Sequence, residues 1–139
     1  MKLGHVHIKV KNLEKSKAYY TGVVGMRLVE EIEGQFAFLS LSSAHHDLAL
    51  QQRSQLVGSS NDSVLYHIAF EVRDIESLKQ AKERLEENGY PLSLVDHGIS
   101  WALYTKDPDG NGVEIYMDRR ESEGGVKLWN GRSRPLRLS

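Results

Sequence analysis

The 139 residues are enough for one compact domain with its own core and too few for two. Hydrophobic residues make up 40% and charged residues 27%, which argues against disorder, and the net charge of −1 provides no field for nucleic acid or an anionic membrane. There is no Cys, which excludes disulfides, thiolate metal sites and cysteine nucleophiles, so transition-metal chemistry falls to the six His.

His5-Val6-His7-Ile8-Lys9-Val10 alternates strictly and predicts a strand with Val6, Ile8 and Val10 on its core face. Asn12 offers an N-cap to a helix over Leu13 to Tyr20, closed by Gly22 and Gly25. Strands are expected at Met26 to Glu33, Gln35 to Leu41 and His46 to Gln51, followed by a polar loop at Arg53 to Ser63. Val64 to Val72 regains strand character. Asp74 then caps a helix with Ile75, Leu78, Ala81 and Leu85 on one face, stopped by Asn88-Gly89. Strands at Leu92 to Val95, Trp101 to Lys106 and Val113 to Asp118 complete the order β-α-β-β-β, written twice. Between the last two, Asp107 to Gly112 reads as a turn that delivers Glu114; it lacks the Lys-Ser/Thr of a phosphate loop. No apolar run approaches the roughly 20 residues of a membrane span, and Met1-Lys2-Leu3-Gly4-His5 has no signal-peptide core, so the expected location is cytoplasmic.

The repeat is visible in the letters as well. His5 to Glu14 lies over His67 to Glu76 at an offset of 62, column by column, including the leading His. A second match sets Ala37-Phe38-Leu39 over Ala102-Leu103-Tyr104 and Leu48-Ala49-Leu50 over Val113-Glu114-Ile115, at an offset of 65. Ala49 is then the counterpart of Glu114.

His5 and His67 lie opposite the core-facing residues of their strands, on the face expected to be wetter. Two duplicated modules about a pseudo-twofold bring such equivalent positions together, so the two imidazoles can share a metal, with Glu114 as an oxygen ligand. Two His and one carboxylate leave three octahedral positions open, the arrangement of non-haem Fe(II) oxygenases. Taken singly, each of the three is better explained as a polar group on a solvated strand. The registered pair, with a carboxylate in the expected module, tips the balance to metal. His7 shares the face of His5 and is the alternative ligand, although its counterpart is Ala69.

On the run from His5 to Tyr20, Gly25, His67 to Val72 and Asp107 to Glu114, the chain resembles the vicinal oxygen chelate superfamily, over residues 3 to about 118. The resemblance implies an α+β fold of two βαβββ modules forming a half-open barrel around a metal. One domain would cover 1–120, with modules at about 3–52 and 64–118, and 121–139 would be a solvated or subunit-bracing extension. It also implies His5, His67 and Glu114 as metal ligands, for Fe(II) first and Mn(II) or another divalent ion otherwise. The superfamily holds glyoxalase I, fosfomycin-resistance transferases, methylmalonyl-CoA epimerase, antibiotic-sequestering proteins and extradiol dioxygenases.

Three features resemble the extradiol branch, and small catechol 2,3-dioxygenases in particular. Glyoxalase I carries a fourth ligand, a Glu, where this chain has Ala49. His45 to Leu50 resembles the extradiol segment whose second His is an acid/base, which implies His46 in that role. Asp96 to Tyr104 resembles the stretch carrying a supporting His and Tyr, here His97 and Tyr104. Each has a plainer explanation: a polar pair entering a strand at His45-His46, a turn residue at His97, a half-buried strand aromatic at Tyr104. The expected reaction is ring cleavage of a small aromatic diol by dioxygen. The alternatives are a glyoxalase-like lyase or thiol transferase of the same superfamily, and a small-molecule-binding protein. Pairing of the modules within one chain and exchange between two copies in a homodimer both satisfy the pattern.

Overall fold

The computed structural model describes residues 1–22, 25–53, 65–106 and 112–139. The expected loop at Arg53 to Ser63 and turn at Asp107 to Gly112 lie, apart from Arg53 and Gly112, outside the described residues. The elements run β1 (Lys2–Val10), α1 (Leu13–Gly22), β2 (Arg27–Ile32), β3 (Phe36–Ser40), β4 (Leu48–Gln52), β5 (Leu65–Val72), α2 (Ile75–Glu87), β6 (Ser93–Asp96), β7 (Ser100–Lys106), β8 (Gly112–Asp118) and β9 (Arg134–Pro135). The predicted β-α-β-β-β order is present twice, with β9 added. Two compact units divide the chain: His5–His67, and Ile68–Ser139 together with Met1–Gly4.

In the His5–His67 unit the strands lie in the order β2-β3-β4-β1, with β1 parallel to β4 and the other pairs antiparallel. Asn12 caps α1, its Oδ1 accepting the Lys15 N–H at 2.9 Å. Leu13 and Tyr20 of the helix pack on Met26, Ala37, Leu39, Leu50, Ile8, Val10 and Leu48. Leu39 and Leu50 are sealed from solvent, each burial contributing about 1.5–3 kcal/mol. The opposite face of this sheet carries His5, His7, Phe38 and Ala49.

The second unit has the order β5-β8-β7-β6-β9, with β5 parallel to β8 and the remaining pairs antiparallel. Asp74 caps α2 by accepting the Ser77 N–H at 2.8 Å. Leu78 and Ala81 are buried against Val72, Leu103 and Ile115, while Ile75, expected on the same face, is 38% exposed in the first turn. The helix ends at Asn88 and Gly89, whose φ of 76° suits glycine, and Tyr90 N–H returns to Leu85 O at 2.9 Å. Residues 121–139 pack on this unit: β9 pairs with β6, Leu136 N–H donates to Leu94 O at 3.3 Å, and Leu138 joins the core cluster.

Strand registers reproduce most of the letter repeat. His7 pairs with Ala49 and Ala69 pairs with Glu114, the same parallel register in both units. The second letter match needs a correction. Phe38 pairs with Ala49 whereas Tyr104 pairs with Glu114, so Tyr104 is the counterpart of Phe38 and the alignment of Ala37-Phe38-Leu39 is one residue out. Both stretches are apolar on both faces, so hydrophobic pattern does not set their register; the hydrogen-bond ladder does.

Candidate metal centre and histidine cluster

Alternation in β1 and β5 sends His5, His7 and His67 away from the α1 core. The face expected to be wet is closed, since His5 and His67 are each only 5% exposed. Their Nε2 atoms lie 3.0 Å apart. Two nitrogens bound to one ion at about 2.1 Å and at a right angle stand about 3.0 Å apart, and at a tetrahedral angle about 3.4 Å. The pair therefore fits two adjacent positions of an octahedral ion. The same separation suits an N–H···N hydrogen bond between neutral imidazoles, so the two rings hold each other in place. His7 stands edge-on to His67 with centroids 4.9 Å apart, and the Nε2 that meets His67 Nε2 is that of His5.

Beside this pair runs a second chain of polar contacts. The His46 ring lies 4.2 Å from that of His5, and its Nδ1 is 2.9 Å from His45 Nδ1. His45 Nε2 is 2.7 Å from Glu30 Oε1, with both side chains 6% exposed. Phe38 packs against both rings, at 5.5 Å from His45 and 5.0 Å from His46. Ala49 is fully buried and pairs with both His7 and Phe38, so a methyl group stands on this face where Glu114 stands in the other module. Asp47 braces the segment leading into β4. Burial alone would push its carboxyl up, but the N–H of Leu41 and the hydroxyls of Ser42 and Ser40 outweigh that and hold it below the usual carboxylate value.

In the second unit Glu114 is 3% exposed and sits between Ala69, two residues after His67, and Tyr104. The simple alternative of an exposed surface carboxylate is excluded by that burial. Tyr104 Oη is 2.7 Å from His97 Nε2, and His97 Nδ1 is 2.7 Å from Ser133 Oγ, which also accepts from Trp129 Nε1 at 3.2 Å. His97 is thus both a turn residue, beside Gly98 at φ 77°, and a partner of Tyr104. Burial drives the Tyr116 hydroxyl far above the ordinary tyrosine range, with the carboxylates of Glu71 and Glu114 adding to it. Tyr116 remains a neutral phenol at physiological pH.

The structure brings His5, His46 and His67 together in one unit, and His97 with Tyr104 in the other. Sequence reading missed Glu30, which looked like one more polar residue in a strand, and Ser133, which lay in the extension. Only the side-chain partners reveal them.

Comparison with known proteins follows the same lines. Residues 2–115 match the family described as Glyoxalase/Bleomycin resistance protein/Dioxygenase superfamily. A catechol-2,3-dioxygenase of Bacillus subtilis (strain 168) is 35% identical over 122 residues, covering 86% of this chain and 42% of that protein. A biphenyl-2,3-diol 1,2-dioxygenase of Rhodococcus globerulus is 28% identical over 120 residues, covering 84% and 63%. The chain therefore spans less than two thirds of the length of each. Among solved structures, the Mn(II)-bound glyoxalase from Novosphingobium aromaticivorans superposes with a TM-score of 0.74 at 21% identity, over 84% of this chain and 37% of that one. That likeness is one of fold. Among the described residues no helix is long and apolar enough to cross a membrane.

Proposed function

The chain belongs to the Glyoxalase/Bleomycin resistance protein/Dioxygenase superfamily, and from that premise we propose that it is a metal-dependent extradiol dioxygenase acting on a catechol-type diol. The observation that carries the reading is the buried pair His5 and His67, equivalent residues of two repeats whose Nε2 atoms meet at 3.0 Å. His5, His67 and Glu114 are three buried groups that can each supply one ligand atom to a divalent ion. Two neutral nitrogens and one carboxylate suit Fe(II) or Mn(II), and Ala49 supplies no fourth protein ligand. When bound, such an ion lowers the pKa of a diol hydroxyl and holds diol and dioxygen side by side.

The chain's own residues handle protons and orientation. His46, its ring tilted against that of His5 with centroids 4.2 Å apart, takes a proton from the diol hydroxyl at Nε2 and returns it later. His97 and Tyr104, tied by their 2.7 Å contact, present a hydroxyl that donates to a substrate oxygen. Glu114 is held by strand pairing on both sides, so its side chain leaves from a fixed backbone position.

Anaerobic loading with Fe(II), metal analysis and a panel of catechols followed by absorbance and oxygen uptake test the reading. About one ion per chain is expected, with oxygen-dependent formation of a yellow ring-opened product; His67→Ala should weaken metal binding by more than about 100-fold. Loaded protein that turns over no catechol in the panel refutes the dioxygenase reading. Unchanged metal content in His67→Ala refutes the ligand set. A thiol-dependent lyase activity in the same loaded protein would move the assignment to the glyoxalase side of the superfamily.

A further inference from the structure

β2 does not pair evenly with β3. Leu28 lies opposite Leu39, and the next pair is Glu30 with Phe38, so Val29 is an extra residue that forms a bulge. Unbroken pairing from Leu28 would set Glu30 opposite Ala37, a member of the α1 core cluster. The extra residue inverts the alternation and turns Glu30 to the face of Phe38 and the histidines. Bulges commonly re-aim a side chain in this way. Its result is a buried carboxylate, 8% exposed, whose Oε1 lies 2.7 Å from His45 Nε2. Burying a carboxylate is costly unless a partner compensates, and the bulge brings one into reach.

With His45 neutral, the two contacts imply one placement of the hydrogens. Imidazole is ordinarily more basic than carboxylate, so the shared hydrogen rests on His45 Nε2, which donates to Glu30. A neutral His45 has only that N–H, and its Nδ1 then accepts. On that placement His46 Nδ1–H is the donor across the 2.9 Å contact, and its Nε2 carries no hydrogen. The logic matches that of a carboxylate that orients a catalytic imidazole, with one more ring between them.

We propose that Glu30 and His45 are positioning residues that fix the ring and tautomer of His46, so that Nε2 is the atom that accepts a proton. The role rests on the acid/base assignment of His46 made above, but the tautomer itself can be measured without substrate or metal. In the metal-free, isotope-labelled protein, long-range ¹H–¹⁵N correlation spectra should show His45 as the Nε2–H tautomer and His46 as the Nδ1–H tautomer. Glu30→Leu should abolish the single Nδ1–H state of His46. Glu30→Gln, whose amide oxygen still accepts, should keep it. In the Fe(II)-loaded protein, Glu30→Leu should lower kcat by about 10–100-fold with KM little changed, and Glu30→Gln should recover most of it.

His46 protonated at Nε2 in the wild-type spectrum, as an imidazolium at His45 would require, overturns the proposal, and needs no variant to fold. So does a His46 spectrum unchanged in Glu30→Leu. The predicted tautomers together with a total lack of catechol turnover would uphold the positioning role and refute the dioxygenase reading instead.

Discussion

Gly4→Ala is predicted to destabilise the protein, although replacing a strand glycine ordinarily helps. A Cβ at Gly4 would stand 2.5 Å from both Cε1 and Oη of Tyr116 and 2.9 Å from Cζ. Ordinary contact begins at 3.4 Å, so the deficit reaches 0.9 Å against a ring that is itself 9% exposed. Tyr116 Oη also lies 3.4 Å from Glu71 Oε2, so moving the ring disturbs a second contact. Two effects compete. Alanine in a strand gains about 0.5–1 kcal/mol in chain entropy, and overpacking of a filled site costs about 1–3 kcal/mol. The clash wins, for a net loss of about 1–2 kcal/mol and a fall in Tm of about 3–8 °C at this chain length. Gly22, at the end of α1, has nothing within 4 Å, so Gly22→Ala should be neutral or stabilising by up to about 1 kcal/mol. Scanning calorimetry of both variants checks the signs. Tyr116→Phe removes one of the three close atoms and should rescue part of the Gly4→Ala loss, a coupling that a double-mutant cycle measures. A Gly4→Ala protein melting at or above the parent temperature refutes the reasoning.

Three further outcomes follow from the same geometry. The Asp47 carboxyl is lowered in the fold, so its contribution is full above the ordinary value of 3.8 and is lost as pH falls through the lower folded value. In urea titrations Asp47→Asn should cost about 1–2 kcal/mol at pH 7, and the gap to wild type should close towards the lowest pH at which both fold; a constant gap would contradict this. Leu103→Ala, at a site with no exposure, should cost about 2–5 kcal/mol, while Leu41→Ala, 65% exposed, should stay within about 0.5 kcal/mol. Equilibrium dialysis against Mn(II) should show Glu114→Gln losing affinity while its unfolding midpoint changes little, and unchanged affinity would remove Glu114 from the ligand set.

The repeat and the element order were legible in the chain because each is a local matter. Strict alternation in His5 to Val10 tells which residues share a face, and the offset of 62 carries that reading to His67 to Val72 and ties the two His together. Asn12 and Asp74 mark helix starts because capping needs only a side chain and an N–H three residues on. Ala49 as the counterpart of Glu114 was likewise readable as an asymmetry between copies.

Other features had no local signal. Burial of His5, His67 and Glu114 depends on what covers the sheet face, and alternation alone gives only the side, so the face expected to be wet proved closed. The pairing of Tyr104 with Glu114 was set by the hydrogen-bond ladder where both faces are apolar. Ser133 reached His97 only because β9 docks on β6. Glu30 is the sharpest case. From sequence it is one acidic residue in a strand; one unpaired residue in the ladder turns it inward to His45. The sequence by itself determined which groups exist and which side of a strand they leave from. Tertiary structure decided which of them meet out of water, because a one-residue change in pairing exchanges the two faces of a strand.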